Sequence, residues 1–320
     1  MSKPKVLQDL SYRSYGETVD YPVWWAIARA QTNINLRKKW IWLLTTMSAW
    51  WYLMIIIITW VFEQTIAQGG AAMGGRAPRF FENVVWRDQV AHAFGFGQMF
   101  VLFLTLVFAA GAISNDLRVN ALLVYLSKPC TKRDYLLGKW LGTFLPLLIC
   151  ISIPHILFYI YGGLSFHTYG FFSQDPWMIL RMIVALPLVA AFYTTFGLAI
   201  SSLNRNGRIA GSVLAAIDFL SNFFTLAVVI AINVSQPMGQ KVEVPKALNY
   251  LYYASIDGIA SAVFRGVYAF SGSNWAFFGG GMAPGVPAIS IFVALPVMLA
   301  TVAVGILVAY RRIRAVEVIG

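Results

Sequence analysis

The sequence predicts an all-α membrane protein with six transmembrane helices, and three observations lead there. Hydrophobic residues make up 59% of the 320-residue chain and charged residues only 12%, whereas a soluble domain carries roughly 25% charged residues. The mean hydropathy is +0.68, and apolar runs of about 20 residues recur along the chain, each long enough to cross the hydrocarbon layer as a helix. Finally, 17 of the 24 Lys and Arg residues fall in alternate segments between these runs. By the positive-inside rule those segments, and with them both termini, are cytoplasmic. The expected location is a bacterial or archaeal cytoplasmic membrane. The same placement of charge assigns the net +11 to membrane flanks and not to nucleic acid.

Three regions are expected: a cytoplasmic tail with an amphipathic helix (1–40), a six-helix transmembrane domain (41–310) and a second cytoplasmic tail (311–320). Met1 to Asp20 is polar and shows no cleavable signal, so the first membrane helix doubles as the targeting signal. From Tyr21 to Lys39, Pro22 suits a helix start, and Val23, Ile27, Ala30 and Ile34 recur at helical spacing beside Trp24 and Trp25. With Arg29, Arg37, Lys38 and Lys39, such a helix suits either the inner membrane surface, tryptophans at headgroup depth, or a partner's surface. The spans are expected at about 41–62, 93–113, 140–161, 177–201, 212–234 and 288–310. The first carries the unbroken run Ile55 to Ile58. Glu63 to His92 is an outer loop, Gly162 to Pro176 a short outer turn, and Leu203 to Gly211, with Arg205 and Arg208, an inner loop. Before the last span, Tyr250 to Phe270 is apolar but interrupted by Asp257, Arg265 and Gly266, which predicts one or two outer surface or re-entrant helices.

Most catalytic patterns are absent. The chain has no GxxxxGK[ST] phosphate loop, no HExxH or CxxC, and no GxSxG elbow. His92, His155 and His167 are scattered and read as packed or interfacial histidines, Cys130 and Cys150 as free thiols. No metal, no bound cofactor and no enzymatic activity are expected of this chain.

Ser114 to Lys139 is more specific: a charged, capped segment between two apolar runs, which reads as a docking surface for a cytoplasmic partner. Asp116 falls in the first turn of a candidate helix, where a helix N-terminus favours an acid. Leu117, Ala121, Val124 and Tyr125 make one apolar stripe while Arg118 and Asn120 turn elsewhere. Ser127-Lys128-Pro129 breaks the helix, and Thr131 with Asp134 forms a variant capping box that starts the next one.

With Asp116, Leu122-Leu123, Leu126-Ser127-Lys128-Pro129, Arg133 and Tyr135-Leu136-Leu137-Gly138-Lys139, the segment resembles the loop between helices two and three in permease subunits of type-2 ABC exporters. Six spans, cytoplasmic termini and a long outer segment before the last span extend the resemblance over the chain. Two departures are Asp116 where Glu is usual and Asn120-Ala121 where Gly-Thr is common.

The resemblance implies that Tyr21 to Lys39 is a connecting helix, Asp116 to Leu126 a coupling helix docking on a separate ATPase, and Tyr250 to Phe270 re-entrant. Asp116, Leu117, Arg118, Leu122, Tyr125, Pro129 and Arg133 are the implied coupling residues. The implied partners are cytoplasmic ABC ATPase subunits, which bind ATP and Mg, a second permease copy or paralogue, and membrane lipids. Asp218 is the only acid well inside a span, with Asn222 one turn on, so the pair faces either a translocation path or a neighbouring helix as structural glue. The resulting expectation is a permease acting as a dimer in an ATP-driven exporter. The alternative is a non-transporting membrane anchor or mechanical-signalling subunit.

Overall fold

A computed structural model describes residues 22–67, 84–122, 130–167, 170–234, 250–251, 253–272 and 289–313, and among these the chain is helical with no strand. The helices are α1 (Val23–Leu36), α2 (Lys39–Ser48), α3 (Trp50–Ala67), α4 (Trp86–Ala109), α5 (Ser114–Arg118), α6 (Lys132–Ser165), α7 (Phe171–Gln174), α8 (Met178–Leu203), α9 (Gly207–Val234), α10 (Ile256–Val267) and α11 (Ile291–Arg312). Five are long and apolar enough to cross a membrane, and six if α2 and α3 form one bent span. The chain is thus a multi-pass membrane protein.

The bend between α2 and α3 is 48°. Neither Pro nor Gly causes it. The Ser48 hydroxyl donates to the Thr45 carbonyl at 2.7 Å, and the Ala49 N–H is shared between the Thr45 and Thr46 carbonyls. Back-bonding of this kind loosens the helical ladder and tilts the following turn. Helix α6 starts at its capping box: the Thr131 Oγ1 accepts from the Asp134 N–H at 3.2 Å, and the Asp134 carboxylate accepts from the Thr131 N–H at 3.0 Å. These contacts hold the Asp134 carboxyl below its usual range, the Thr131 side chain contributing most. Pro146 and Pro154 lie inside α6 and Pro187 inside α8, as neighbouring helices in a bundle permit.

Helices α4 and α8 form the centre, each two-thirds buried along its most apolar stretch, whereas α9 and α11 bury only 17% of theirs. The core around α4 is aromatic: Phe94 stacks on Phe264 of α10 at 4.1 Å, and Trp86 on Phe166, at the end of α6, at 4.3 Å. Helix α10 lies in the expected Tyr250 to Phe270 region and packs against α4, α8, α9 and α11, with Val263 and Phe264 fully buried. It is therefore a packed element of the bundle and not a helix lying on its surface.

Candidate functional site

Two polar assemblies stand out in this apolar bundle. The first lies where α1, α5 and α6 meet. The capping box fixes where α6 begins, and from that start Tyr135 and Lys139 fall one turn apart on the same face. Both reach Asp116 of α5: the Tyr135 hydroxyl donates to Asp116 Oδ2 at 2.8 Å, and Lys139 Nζ lies 2.8 Å from the same oxygen. Lys139 also donates to Gln31 Oε1 of α1 at 3.0 Å. The chain of contacts continues along α1, where the fully buried Asn35 donates to the Gly142 carbonyl at 3.1 Å. Lys38 donates to Asn35 Oδ1 at 3.3 Å and to the Val107 carbonyl of α4 at 2.7 Å, and burial lowers its ammonium pKa.

Two glycines make this closeness possible. A Cβ on Gly138 would lie 2.7 Å from Ile27 and 2.8 Å from the Trp24 carbonyl; on Gly142 it would lie 2.5 Å from Gln31 and 2.9 Å from the Ala28 carbonyl. Gly138-x3-Gly142 is thus the furrow in which α1 lies. On the other side, Ser201 of α8 fixes the turn between α4 and α5, accepting from the Ile113 and Ser114 N–H groups at 3.1 Å and donating to the Ala110 carbonyl at 2.9 Å.

Asn120 follows α5 with φ +53°, in the left-handed region. That conformation suits Gly or Asn, which accounts for Asn where the related pattern carries Gly. Leu117 and Leu122 turn inward onto Tyr135, Leu136 and Ile313, and Leu122 is buried. The outward face is Arg118, Val119 and Asn120, with Val119 64% exposed. Of the expected apolar stripe, Leu117 thus packs within the chain, while Val124 and Tyr125 lie outside the described residues. Arg133 lies away from Asp116, lining a groove between α6 and α11. Helix α5 ends at Arg118 and the left-handed Asn120 breaks the helical path there, so the helix expected without interruption over 116–126 is interrupted at 119–120; Tyr125 and Pro129, like Leu126 and the break at Ser127-Lys128, lie outside the described residues.

The second assembly joins α4, α8, α9 and α10. The Asn222 amide donates to Asp218 Oδ2 and to Asp257 Oδ2, each at 3.0 Å. Tyr193 donates to Asp257 Oδ1 at 2.5 Å, while Gln98 donates to the Asp257 carbonyl at 2.7 Å and accepts from Ser261 at 2.8 Å. Asp257 sits in the first turn of α10, capped by Ser255, where the helix N-terminus favours its charge. Asp218 is buried, and its Oδ1 has no hydrogen-bond partner among the described residues. No cation pairs with either carboxylate among those residues.

Sequence reading found Asp116, Asp218 and Asn222, and quoted Tyr135, Gly138 and Lys139 only through the resemblance. It missed Gln31, Asn35, Gly142, Ser201, Tyr193 and Asp257 as site residues. Tyr135 and Lys139 at i and i+4 behind a cap, and the Gly-x3-Gly spacing, were the available signals. Among the described residues no three His, Cys, Asp or Glu side chains gather as a metal site would require. A family model described as ABC-2 family transporter protein matches residues 25–317. No curated protein matches the chain.

Proposed function

The chain belongs to the ABC-2 family of transporter proteins and is a membrane permease component of an ABC transporter, and we propose that it serves an exporter as one of two permeases coupled to separate ATPases through the segment starting at Asp116. Family membership implies association with ABC ATPase partners, and the absence of a phosphate loop from the sequence agrees with hydrolysis on the partner.

The observation that carries the coupling proposal is the Asp116–Lys139–Gln31 junction. A push on Arg118, Val119 and Asn120 bears directly on Asp116. That residue is tied by a charged contact to α6 and, through Lys139, to α1. Lys139 is almost wholly buried, so the contact is shielded from the screening that weakens surface pairs. Movement of the segment is thereby passed to a spanning helix and to the α1 connecting helix together, instead of being absorbed by a loose loop. In this reading ATP-driven closure of two ATPases tilts the two permeases about a shared path. The Asp218–Asn222–Asp257 group is then the polar point inside it, where an ionisable side chain is costly unless it faces a path or a partner.

Gentle extraction with the co-expressed ATPase, followed by native mass measurement, tests the assembly: two permeases with two ATPases are expected. One permease without ATPase would point instead to a membrane anchor that does not transport.

A further inference from the structure

Helix α11 crosses α8 closely at Gly305, where an added Cβ would lie 2.9 Å from Thr195 Cγ2, but it touches α6 only sparsely. An open groove of about 780 Å³ remains between α6 and α11. Leu137 and Trp140 form one wall, Ile306 and Tyr310 the other, and Thr195 and Leu198 of α8 the floor. Trp140 is held in place by donating its indole N–H to Thr195 Oγ1 at 2.8 Å. Of the lining residues only Arg133 is charged. Its guanidinium is exposed, and it has no ion pair or hydrogen-bond partner among the described residues. Arg311 and Arg312, also exposed, stand in the last turn of α11 at the same end.

We propose that this groove is a binding site for an anionic phospholipid of the cytoplasmic leaflet, its phosphate on Arg133 and an acyl chain along Leu137 and Ile306. The chemistry favours that occupant. A soluble anion would leave the apolar walls wet. A helix from a second copy would cover Arg133 with apolar atoms and leave a desolvated, unpaired charge. An amphiphile satisfies both ends, because a guanidinium grips phosphate oxygens through paired N–H donors and hydrocarbon fills the walls. The arrangement is that of a basic pocket between transmembrane helices on the cytoplasmic side, with Trp140 and Tyr310 at headgroup depth. The proposal rests on the orientation given by the charge asymmetry and not on the transport reading.

The test uses the full chain with its ATPase in vesicles of phosphatidylcholine containing one-tenth phosphatidylglycerol, extracted gently and weighed by native mass spectrometry. Wild type should retain phosphatidylglycerol in preference to phosphatidylcholine. Arg133→Gln should lower that retention about fivefold, as loss of one cation near a membrane surface implies. Ile306→Trp, which fills the groove from a position already facing outward, should lower it for both lipids. ATPase co-purification should be unchanged in Ile306→Trp. Equal retention of the two lipids by wild type, or unchanged phosphatidylglycerol in Arg133→Gln, would overturn the proposal. So would loss of the ATPase in Arg133→Gln with lipid unchanged, which returns Arg133 to the docking surface. Loss of the permease pair in Ile306→Trp with lipid unchanged would make the groove an interface between copies.

Discussion

Asp218 is one residue whose sequence signal and structural setting agree: an acid in an apolar run should find polar company, and it finds Asn222 and, through it, Asp257. Asp218→Asn keeps an acceptor for Asn222, so expression should stay near normal while substrate-stimulated ATPase activity or transport changes. Unchanged activity with lowered stability would assign Asp218 to structure. Tyr193→Phe acts differently, because it strips the donor from the Asp257 carboxylate. Leaving a buried acceptor unpaired costs about 1–3 kcal/mol, which should appear as a lower unfolding temperature of the detergent-solubilised protein. Nothing in the sequence pointed to Tyr193, since one hydroxyl in an aromatic-rich chain has no pattern. Asp257 was visible only as an interruption of an apolar segment. Asp134 gives a pH-dependent test outside the membrane. Its pKa is lowered by the Thr131 contacts. Its contribution is therefore fully present above the unfolded carboxylate pKa and is lost as pH falls through the folded value. At neutral pH, Asp134→Ala should cost about 0.3–1 kcal/mol at the start of α6, read as faster amide exchange at Thr131, whose N–H the carboxylate accepts, and the difference from wild type should fade below about pH 4.

At the scale of elements, the packing of α1 on α6 is the contact that sequence reading described least. The amphipathic pattern of Tyr21 to Lys39 was legible, and so was the Gly-Lys pair. That Gly138 and Gly142 form the furrow for α1 was not, because small residues in an apolar run signal close approach without saying to what. Gly142→Val places atoms where Gln31 and the Ala28 carbonyl already lie. Overpacking of this kind costs about 1–3 kcal/mol, so this variant should unfold at lower temperature and lose coupling, whereas Gly95→Val, at an open site, should do neither. The inward turn of Leu117 and Leu122 escaped the sequence for a related reason. Periodicity shows that a stripe is apolar, not whether it meets the chain's own core or another protein. Leu122→Ala should therefore destabilise the segment itself. Val119→Asp, on the exposed face, should weaken ATPase co-purification with little change in the permease's own unfolding temperature.

Across the whole molecule, the lysine and arginine asymmetry and the helices long enough to span make one topology, and its orientation is open to direct test. An impermeant thiol reagent applied to intact cells should label Ser173→Cys, in exposed α7, and miss Asn206→Cys, in the turn between α8 and α9. Labelling in the reverse sense would invert the model. The all-helical class and the multi-pass pattern, six spans expected against five or six found, were legible because apolar runs and flanking charges are one-dimensional signals. The centrality of α4 and α8 was not, because every span is apolar and burial depends on which neighbours it acquires. The low burial of α9 and α11 leaves large apolar faces open on the described bundle.

In the proposed mechanism, motion of the ATPases reaches the permease pair through Asp116. Its most direct test is the distance between spin labels at Ser173 in the two permeases, with and without ATP. Wild type should show an ATP-dependent change. Asp116→Ala should keep its ATPase and continue to hydrolyse ATP, yet lose most of that change, since Lys139 would no longer be tied to the segment. Reversing the pair, Asp116→Lys with Lys139→Asp, should recover part of it. An ATP-dependent change in Asp116→Ala equal to that of wild type would rule out this coupling route.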